Sequence, residues 1–170
     1  MSNKNGKVSI VMPCFNEENS IGKTINSLLS NAALDGCEIV VVDDGSTDHS
    51  VKKIEQFSSV KLVKHGVNKG YGSAIASGCR VCKGEYVVWM DSDGQHRSND
   101  VANIIEKLVN SEYDWIVGCR DLNSHQVPSR KFGKYILSQF VRASIGTNDL
   151  DFNSGLRGFK TKILKKYLSF

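Results

Sequence analysis

Apolar residues in this chain fall into two alternating patterns: short continuous runs, and longer segments where they recur every three or four positions. The run over residues 7–12 (KVSIVM) predicts a strand closed by Pro13. Ile21, Ile25, Leu28, Leu29 and Ala32 then share one face of a helix predicted over 20–33. Residues 38–42 (EIVVV) lack polar alternation, as expected of a parallel strand covered on both faces. Thr47 or Asp48 is placed to cap a helix that turns Val51, Ile54 and Phe57 inward, and residues 60–64 read as a third strand. A small-residue helix over 70–79 has Ala74, Ile75 and Gly78 where close approach to a sheet is needed, and residues 86–90 (YVVWM) follow as the central strand. Ser98 is expected to cap a helix to Asn110 with Val101, Ile104, Ile105, Leu108 and Val109 inward, ahead of a strand over 114–119. Beyond a polar loop over 120–129, the pattern gives a helix over 130–144. A short strand beside the cleft lies within 149–160, and a last helix is capped by Thr161. Strands interleaved with helices in this order predict one α/β domain over residues 1–170, a three-layer α/β/α sandwich with a mostly parallel sheet.

Composition narrows the class. A hydrophobic fraction of 40% and a charged fraction of 24% suit a folded globule, and the net charge of +4 is too small and too dispersed for a nucleic-acid-binding surface. No apolar run approaches the roughly 18 residues that span a bilayer. The N-terminal MSNKNGK lacks the apolar stretch of a signal peptide, so a cytoplasmic location is expected. The cysteines, Cys14, Cys37, Cys79, Cys82 and Cys119, are odd in number and read as free thiols. Cys79 and Cys82 have redox-motif spacing but fall at the end of a predicted helix, not at its start, and no second pair supports zinc. Near the end, Lys162, Lys165 and Lys166 alternate with Ile163, Leu164, Tyr167 and Leu168. That stretch is either an ordinary terminal helix or an interfacial segment on anionic lipid.

The candidate chemistry sits in two acidic loops, Asp43-Asp44 after EIVVV and Asp91-Ser92-Asp93 after YVVWM. An α/β sheet binds ligands at the carboxyl ends of its strands, so both loops are expected around one cleft. Asp91 and Asp93, with Gln95 continuing the spacing, offer hard oxygen donors for a divalent cation on a diphosphate. Of Asp43 and Asp44, one is expected to orient the loop through the N–H groups of Gly45, Ser46 and Thr47. The other is expected to accept from a base or a ribose hydroxyl. Pro13-Cys14-Phe15-Asn16-Glu17 stands where a dinucleotide fold would carry its glycine-rich turn, and no P-loop is present. Asn68-Lys69-Gly70-Tyr71-Gly72 opens a helix whose N–H groups favour a phosphate or sugar hydroxyl, with Lys69 either neutralising phosphate or solvated. Arg120, Arg130, Lys131 and Arg157 form the basic set, and the guanidinium fork suits Arg130 and Arg157 to phosphate. The histidines, His49, His65, His96 and His125, look scattered, and no GxSxG elbow supports serine chemistry.

MPCFNEENSI, VVVDDGSTD, NKGYGSAIASG, DSDGQH, VGCR and DFNSGLRGF, in this order over about residues 8–160, resemble the signatures of family 2 glycosyltransferases. The resemblance is nearest to the branch of dolichyl-phosphate mannose synthases and polyprenyl-phosphate glycosyltransferases. It implies a GT-A fold and a GDP- or UDP-hexose donor. Pro13, Asn16, Glu17 and Asp44 would lie around the nucleoside, with Lys69, Gly70 and Arg120 also on the donor side. Asp91, Asp93 and Gln95 would hold Mg²⁺ or Mn²⁺, and Asp93, Arg130 and Arg157 would act on the reacting phosphates. The implied reaction is an inverting displacement giving a β-linked product. A polyprenyl-phosphate acceptor is already an anion and needs no general base; a sugar hydroxyl would need one, with Asp149 or Asp151 the late candidates. Extension of a polysaccharide or cell-surface glycan, and a non-catalytic nucleotide-sugar-binding subunit, are the competing expectations. The family's arginine helix often adds a serine a few residues on. Here Lys134 and Tyr135 stand there and Ser138 comes late. Relatives also continue into an amphipathic helix or transmembrane pair. That reads as a truncated catalytic domain, or a short relative with a membrane partner subunit and peripheral contact at the cytosolic face.

Overall fold

The computed structural model describes residues 7–118 and 154–167. Expectations for Cys119, Arg120, Arg130, Lys131, Asp149, Asp151 and the helix over 130–144 lie outside the described residues. The elements follow the predicted order: β1 (Val8–Cys14), α1 (Ile21–Leu29), a 3₁₀ turn (Ala32–Leu34), β2 (Glu38–Asp43), α2 (Ser50–Ile54) and β3 (Val60–Lys64). Then come α3 (Tyr71–Val81), β4 (Tyr86–Trp89), α4 (Ser98–Asn110), β5 (Trp115–Val117), β6 (Arg157–Lys160) and α5 (Thr161–Tyr167).

The strands form one sheet in the order β3-β2-β1-β4-β6-β5. β1 pairs parallel with both β2 and β4, and β2 with β3; β6 is antiparallel to both β4 and β5. The chain therefore leaves β1 towards β2 on one side and returns to β4 on the other, which makes the β1–β4 boundary a topological switch point.

Both sheet faces are covered, which explains the absence of polar alternation in β1, β2 and β4. Ile10, Met12, Val41 and Val88 pack with Ile25 and Leu28 of α1 and Ile104 and Leu108 of α4. Their strand neighbours Val11, Val40, Val42 and Val87 pack the other way, with Ala74 and Ile75 of α3 and Leu164 of α5. Leu164 is thus spent on the sheet while Lys162 and Lys166 are exposed, which favours the ordinary terminal-helix reading of α5. Among the described residues, no helix is long and apolar enough to cross a membrane.

Gly78 confirms the close approach expected of α3: an added Cβ would overlap Val11 Cγ1 and lie 3.1 Å from Val42 Cγ2. Gly78→Ala is expected to cost about 1–3 kcal/mol by overpacking, read from denaturant unfolding.

Several boundaries differ from the sequence reading. Pro13 lies inside β1, opposite Val42, and does not close it. Val11 O accepts from Met90 N–H, so by alternation Pro13 faces the same side, where β4 has already ended and no ladder bond is lost. α1 stops at Leu29, and Asn31 Oδ1 accepts from Ala33 N–H at 3.0 Å to start the 3₁₀ turn. Ser98 is the first residue of α4, with Arg97 at the cap position. Thr161 Oγ1 donates to Gly84 O at 2.7 Å, tying α5 to the turn before β4. Cys14, Cys37, Cys79 and Cys82 are free thiols; burial pushes Cys79 up to about 12 and Cys82 to about 11, so neither is primed for redox chemistry.

Candidate active site

The loops after β1 and β2 are stitched into one wall at the carboxyl end of the sheet. Asn16 is the one non-glycine residue with positive φ among those described, at 56°, a conformation asparagine tolerates. It donates its N–H to Ser46 Oγ at 3.0 Å and accepts Thr47 N–H on Oδ1 at 2.8 Å. Glu17 N–H reaches Ser50 Oγ at 2.8 Å, Glu18 N–H reaches Asp48 Oδ2 at 3.0 Å, and His49 N–H returns to Glu18 Oε2 at 3.0 Å. Asp48 also accepts Ser50 N–H at 2.9 Å, but the cap position of α2 is His49, so neither Thr47 nor Asp48 is the cap residue the sequence suggested. The Glu17 carboxylate takes a hydrogen bond from Ser20 Oγ at 2.5 Å. Pro13 is buried beneath, its carbonyl accepting from Ser92 Oγ at 2.8 Å, which links this wall to the second acidic loop.

Asp43 and Asp44 are both 3% exposed, yet they are engaged differently. Asp43 accepts only long bonds from Ser46 N–H, at 3.3 and 3.4 Å, among those resolved for it. Asp44 accepts Lys69 N–H at 2.9 Å and Gly70 N–H at 2.8 Å, and pairs with His65 Nδ1 at 2.6 Å. Burial pushes the Asp44 carboxyl up, but Lys69 N–H, the His65 ring and Gly70 N–H together hold it below the usual carboxylate range. Asp44 is therefore the loop organiser, and Asp43 keeps the greater acceptor capacity. Gly70 holds φ at 90°, which its lack of a side chain permits, and nothing lies within 4 Å of where a Cβ would stand.

His65 Nε2 lies 2.9 Å from Ser77 Oγ, so Ser77, His65 and Asp44 have the connectivity of a hydrolase triad. Ser77 sits mid-way along α3, where backbone N–H groups are spent inside the helix and cannot receive an oxyanion. The trio ties the middle of α3, through His65 just after β3, to Asp44 just after β2.

The second acidic loop is anchored from below. Thr24 Oγ1 donates to Ser92 O at 3.2 Å, and Asp93 Oδ1 accepts Gln95 N–H at 2.9 Å. Asp91 and Asp93 are half-buried, and Gln95 is exposed. Tyr71, at the start of α3, donates its phenol to Asp91 Oδ1 at 2.9 Å. Burial, with the Asp91 charge next, pushes the Tyr71 phenol well above its ordinary value. His96 Nε2 stands 3.6 Å from Asp91 Oδ2. An added Cβ at Gly155 would overlap Asp91 Oδ2, so this glycine clears space for the carboxylate. Gly155→Ala is expected to displace Asp91 and lower turnover by about tenfold or more, with a melting temperature within a few degrees of wild type.

Arg157 opens β6 opposite Trp89, two residues before Asp91, and its Nε donates to Ser154 O at 3.1 Å. Its charge reaches the Tyr71 phenol, as does that of Asp93. The structure thus gathers Asp91, Asp93, Tyr71, His96 and Arg157 at the switch point, with Asp43, Asp44, Lys69 and Gly70 on the adjoining wall. The Lys69 side chain is exposed, and its recorded tie to the site is through its backbone N–H.

Two of the four histidines, scattered in sequence, are joined to the acidic loops, a link the spacing alone did not reveal. Register would have revealed His65: Asp43 pairs with Lys64 in adjacent parallel strands, which sets His65 level with Asp44.

Among the described residues, no group of three or more His, Cys, Asp or Glu side chains forms a closed cation cage. An open pair of carboxylates suits a hard cation that completes its shell on phosphate oxygens, so the donor set fits Mg²⁺ or Mn²⁺. A groove of about 450 Å³ lined by Tyr113, Trp115 and Ile116 lies at the opposite end of β5 from this cleft and is not part of it.

A mostly parallel sheet with acidic loops on both sides of its switch point is the GT-A architecture of nucleotide-sugar transferases. A glucosyl-3-phosphoglycerate synthase from Mycobacterium tuberculosis, in complex with Mn²⁺, UDP-glucose and phosphoglyceric acid, superposes with a TM-score of 0.76. It is 22% identical, over 94% of this chain and 58% of that one. A Pyrobaculum calidifontis mannosyltransferase with GDP-mannose and Mn²⁺ gives a TM-score of 0.69 at 23% identity, over 94% and 46%. Residues 9–168 match glycosyl transferase family 2, and the chain belongs to that family and is a glycosyltransferase. It is similar to a UDP-N-acetylglucosamine–dolichyl-phosphate N-acetylglucosaminyltransferase of Methanococcus voltae, 30% identical over 93% of this chain and 71% of the relative. It also resembles a dolichol-phosphate mannosyltransferase of Pyrococcus furiosus, 32% identical over 78% of this chain and 38% of that protein.

Proposed function

We propose that this glycosyltransferase moves a hexose of the mannose or glucose type from a GDP- or UDP-sugar to a polyprenyl phosphate, with inversion at the anomeric carbon. The observation that carries the donor half is the meeting of both acidic loops at the β1–β4 switch point, with Arg157 beside Asp91. The acceptor half rests on the lipid-phosphate acceptors that the names of similar proteins carry.

In this reading the wall built by Pro13, Asn16 and Glu17 flanks the nucleoside. Asp43 offers the acceptor for a base N–H or ribose hydroxyl, and Asp44 acts through the Lys69–Gly70 segment it positions. Asp91 and Asp93, with Gln95, would hold Mg²⁺ or Mn²⁺, which when bound supplies positive charge to the leaving diphosphate. Arg157, together with Arg120 and Arg130 by family resemblance, would neutralise donor and acceptor phosphates. The acceptor phosphate oxygen forms the new bond to the anomeric carbon as the bond to the β-phosphate oxygen breaks. The nucleoside diphosphate leaves with the electron pair, and no proton has to move. Peripheral contact with the cytosolic membrane face would follow from the lipid-borne acceptor and not from α5, whose Leu164 packs on the sheet.

The test is transfer by the purified chain from GDP-mannose, UDP-glucose, UDP-galactose and UDP-N-acetylglucosamine to a short polyprenyl phosphate, with Mg²⁺ or Mn²⁺. Cation-dependent glycolipid from one donor supports the reading. Donor hydrolysis without transfer redirects the acceptor, and no turnover of any donor counts against the catalytic assignment.

A further inference from the structure

We propose that Tyr71 is a positioning residue that presets Asp91 as a cation ligand, with His96 steadying the second carboxylate oxygen. The inference rests on the cation-dependent donor site proposed above and assigns residues outside the acidic triplet to it.

Tyr71 is 51% exposed, yet its hydroxyl is pinned to Asp91 Oδ1 at 2.9 Å. It directly follows Lys69 and Gly70, whose N–H groups are held by Asp44 at 2.9 and 2.8 Å. One short segment therefore ties the two acidic loops together: Asp44 fixes its backbone, and the next side chain fixes Asp91. On the other oxygen, the His96 side chain is only 10% exposed, and its Nε2 is buried without a hydrogen-bond partner, 3.6 Å from Asp91 Oδ2. An ionised carboxylate can only accept, so a buried ring nitrogen facing it is tolerable as the Nε2–H tautomer. Gly155, without a Cβ, leaves room for the Asp91 carboxylate. A carboxylate hydrogen-bonded at Oδ1 and faced by a buried ring nitrogen at Oδ2 loses little rotamer freedom on meeting a cation, which is how outer partners raise ligand affinity.

This makes a bond to the phenol oxygen, not to the ring, responsible for cation affinity. Tyr71→Phe keeps the ring and removes only the hydroxyl. Mn²⁺ binding to the full chain is titrated by the loss of the free-ion electron paramagnetic resonance signal, with and without UDP or GDP, alongside melting temperature. The proposal predicts about tenfold weaker Mn²⁺ binding in Tyr71→Phe, at an unchanged melting temperature. It also predicts that Tyr71→Phe adds nothing further in an Asp91→Asn background, because the effect runs through that carboxylate. His96→Gln, which can retain a donor, is expected to bind Mn²⁺ more tightly than His96→Leu. Equal Mn²⁺ affinity in wild type and Tyr71→Phe overturns the proposal, as does an undiminished effect in the Asp91→Asn background. Absence of Mn²⁺ binding by wild type in every condition overturns the donor-site reading itself, and this inference falls with it.

Discussion

Asp93→Ala is expected to lower sugar transfer by about a thousandfold while leaving the fold intact. The separation of the two effects comes from how the loop is built. Its backbone is anchored by Ser92, which is buried and bonded to Pro13 O, and by Thr24, which donates to Ser92 O. The recorded bond of the Asp93 side chain is to Gln95 N–H in its own turn, so truncation costs about 1 kcal/mol of stability. In the proposed mechanism the chemical cost is far larger, because Asp93 would be one of the two carboxylates that, with Gln95, hold the cation where negative charge builds on the leaving diphosphate. Initial rates at saturating cation, with melting temperature as the control for folding, decide it. A variant retaining more than a tenth of the rate would remove Asp93 from the catalytic set.

Asp44→Asn is expected to be the most damaging single-atom change in stability, by about 3 kcal/mol. The carboxylate receives Lys69 N–H, Gly70 N–H and the His65 ring. An amide offers one acceptor oxygen and sets an NH₂ donor against at least one of those donors, in a site only 3% exposed. The pH dependence follows from the lowered folded pKa. Stability contributed by Asp44 is fully present above the unfolded carboxyl pKa of about 3.9 and is lost as pH falls through the lower folded value. The gap between wild type and Asp44→Asn should therefore close in that acid window. Asp48 is also held low, by Ser50 and Glu18 against its burial, but it is common to both proteins and cancels in the difference. Chemical denaturation at several pH values measures the gap.

Much of the fold was legible because its cause is local. EIVVV and YVVWM are unbroken apolar runs, and a chain covered on both faces needs no polar alternation there. The spacing of Val101, Ile104, Ile105 and Leu108 likewise gave the inner face of α4, and all are buried. Boundaries were less legible where they depend on a neighbour. Pro13 reads as a strand end, yet the structure tolerates it because β4 is shorter than β1. The placement of the acidic loops at one edge was legible because the carboxyl ends of parallel strands share that edge. The division of labour between Asp43 and Asp44 was not, since it is set by His65 and the Lys69–Gly70 backbone, more than twenty residues away. Tyr71, His96 and Gly155 escaped for the same reason. Each acts on Asp91 through a contact that only the folded chain creates, although His96 follows it by five residues.

The central claim is that the cleft between the two acidic loops binds a nucleoside diphosphate together with a divalent cation. Calorimetric titration of UDP and GDP, with and without Mn²⁺, on wild type and Asp93→Ala, tests it most directly. The account predicts that Mn²⁺ tightens one of the two nucleotides by about tenfold or more in wild type and not in Asp93→Ala. Nucleotide affinity that ignores Mn²⁺, or that Mn²⁺ raises equally in both proteins, would contradict it.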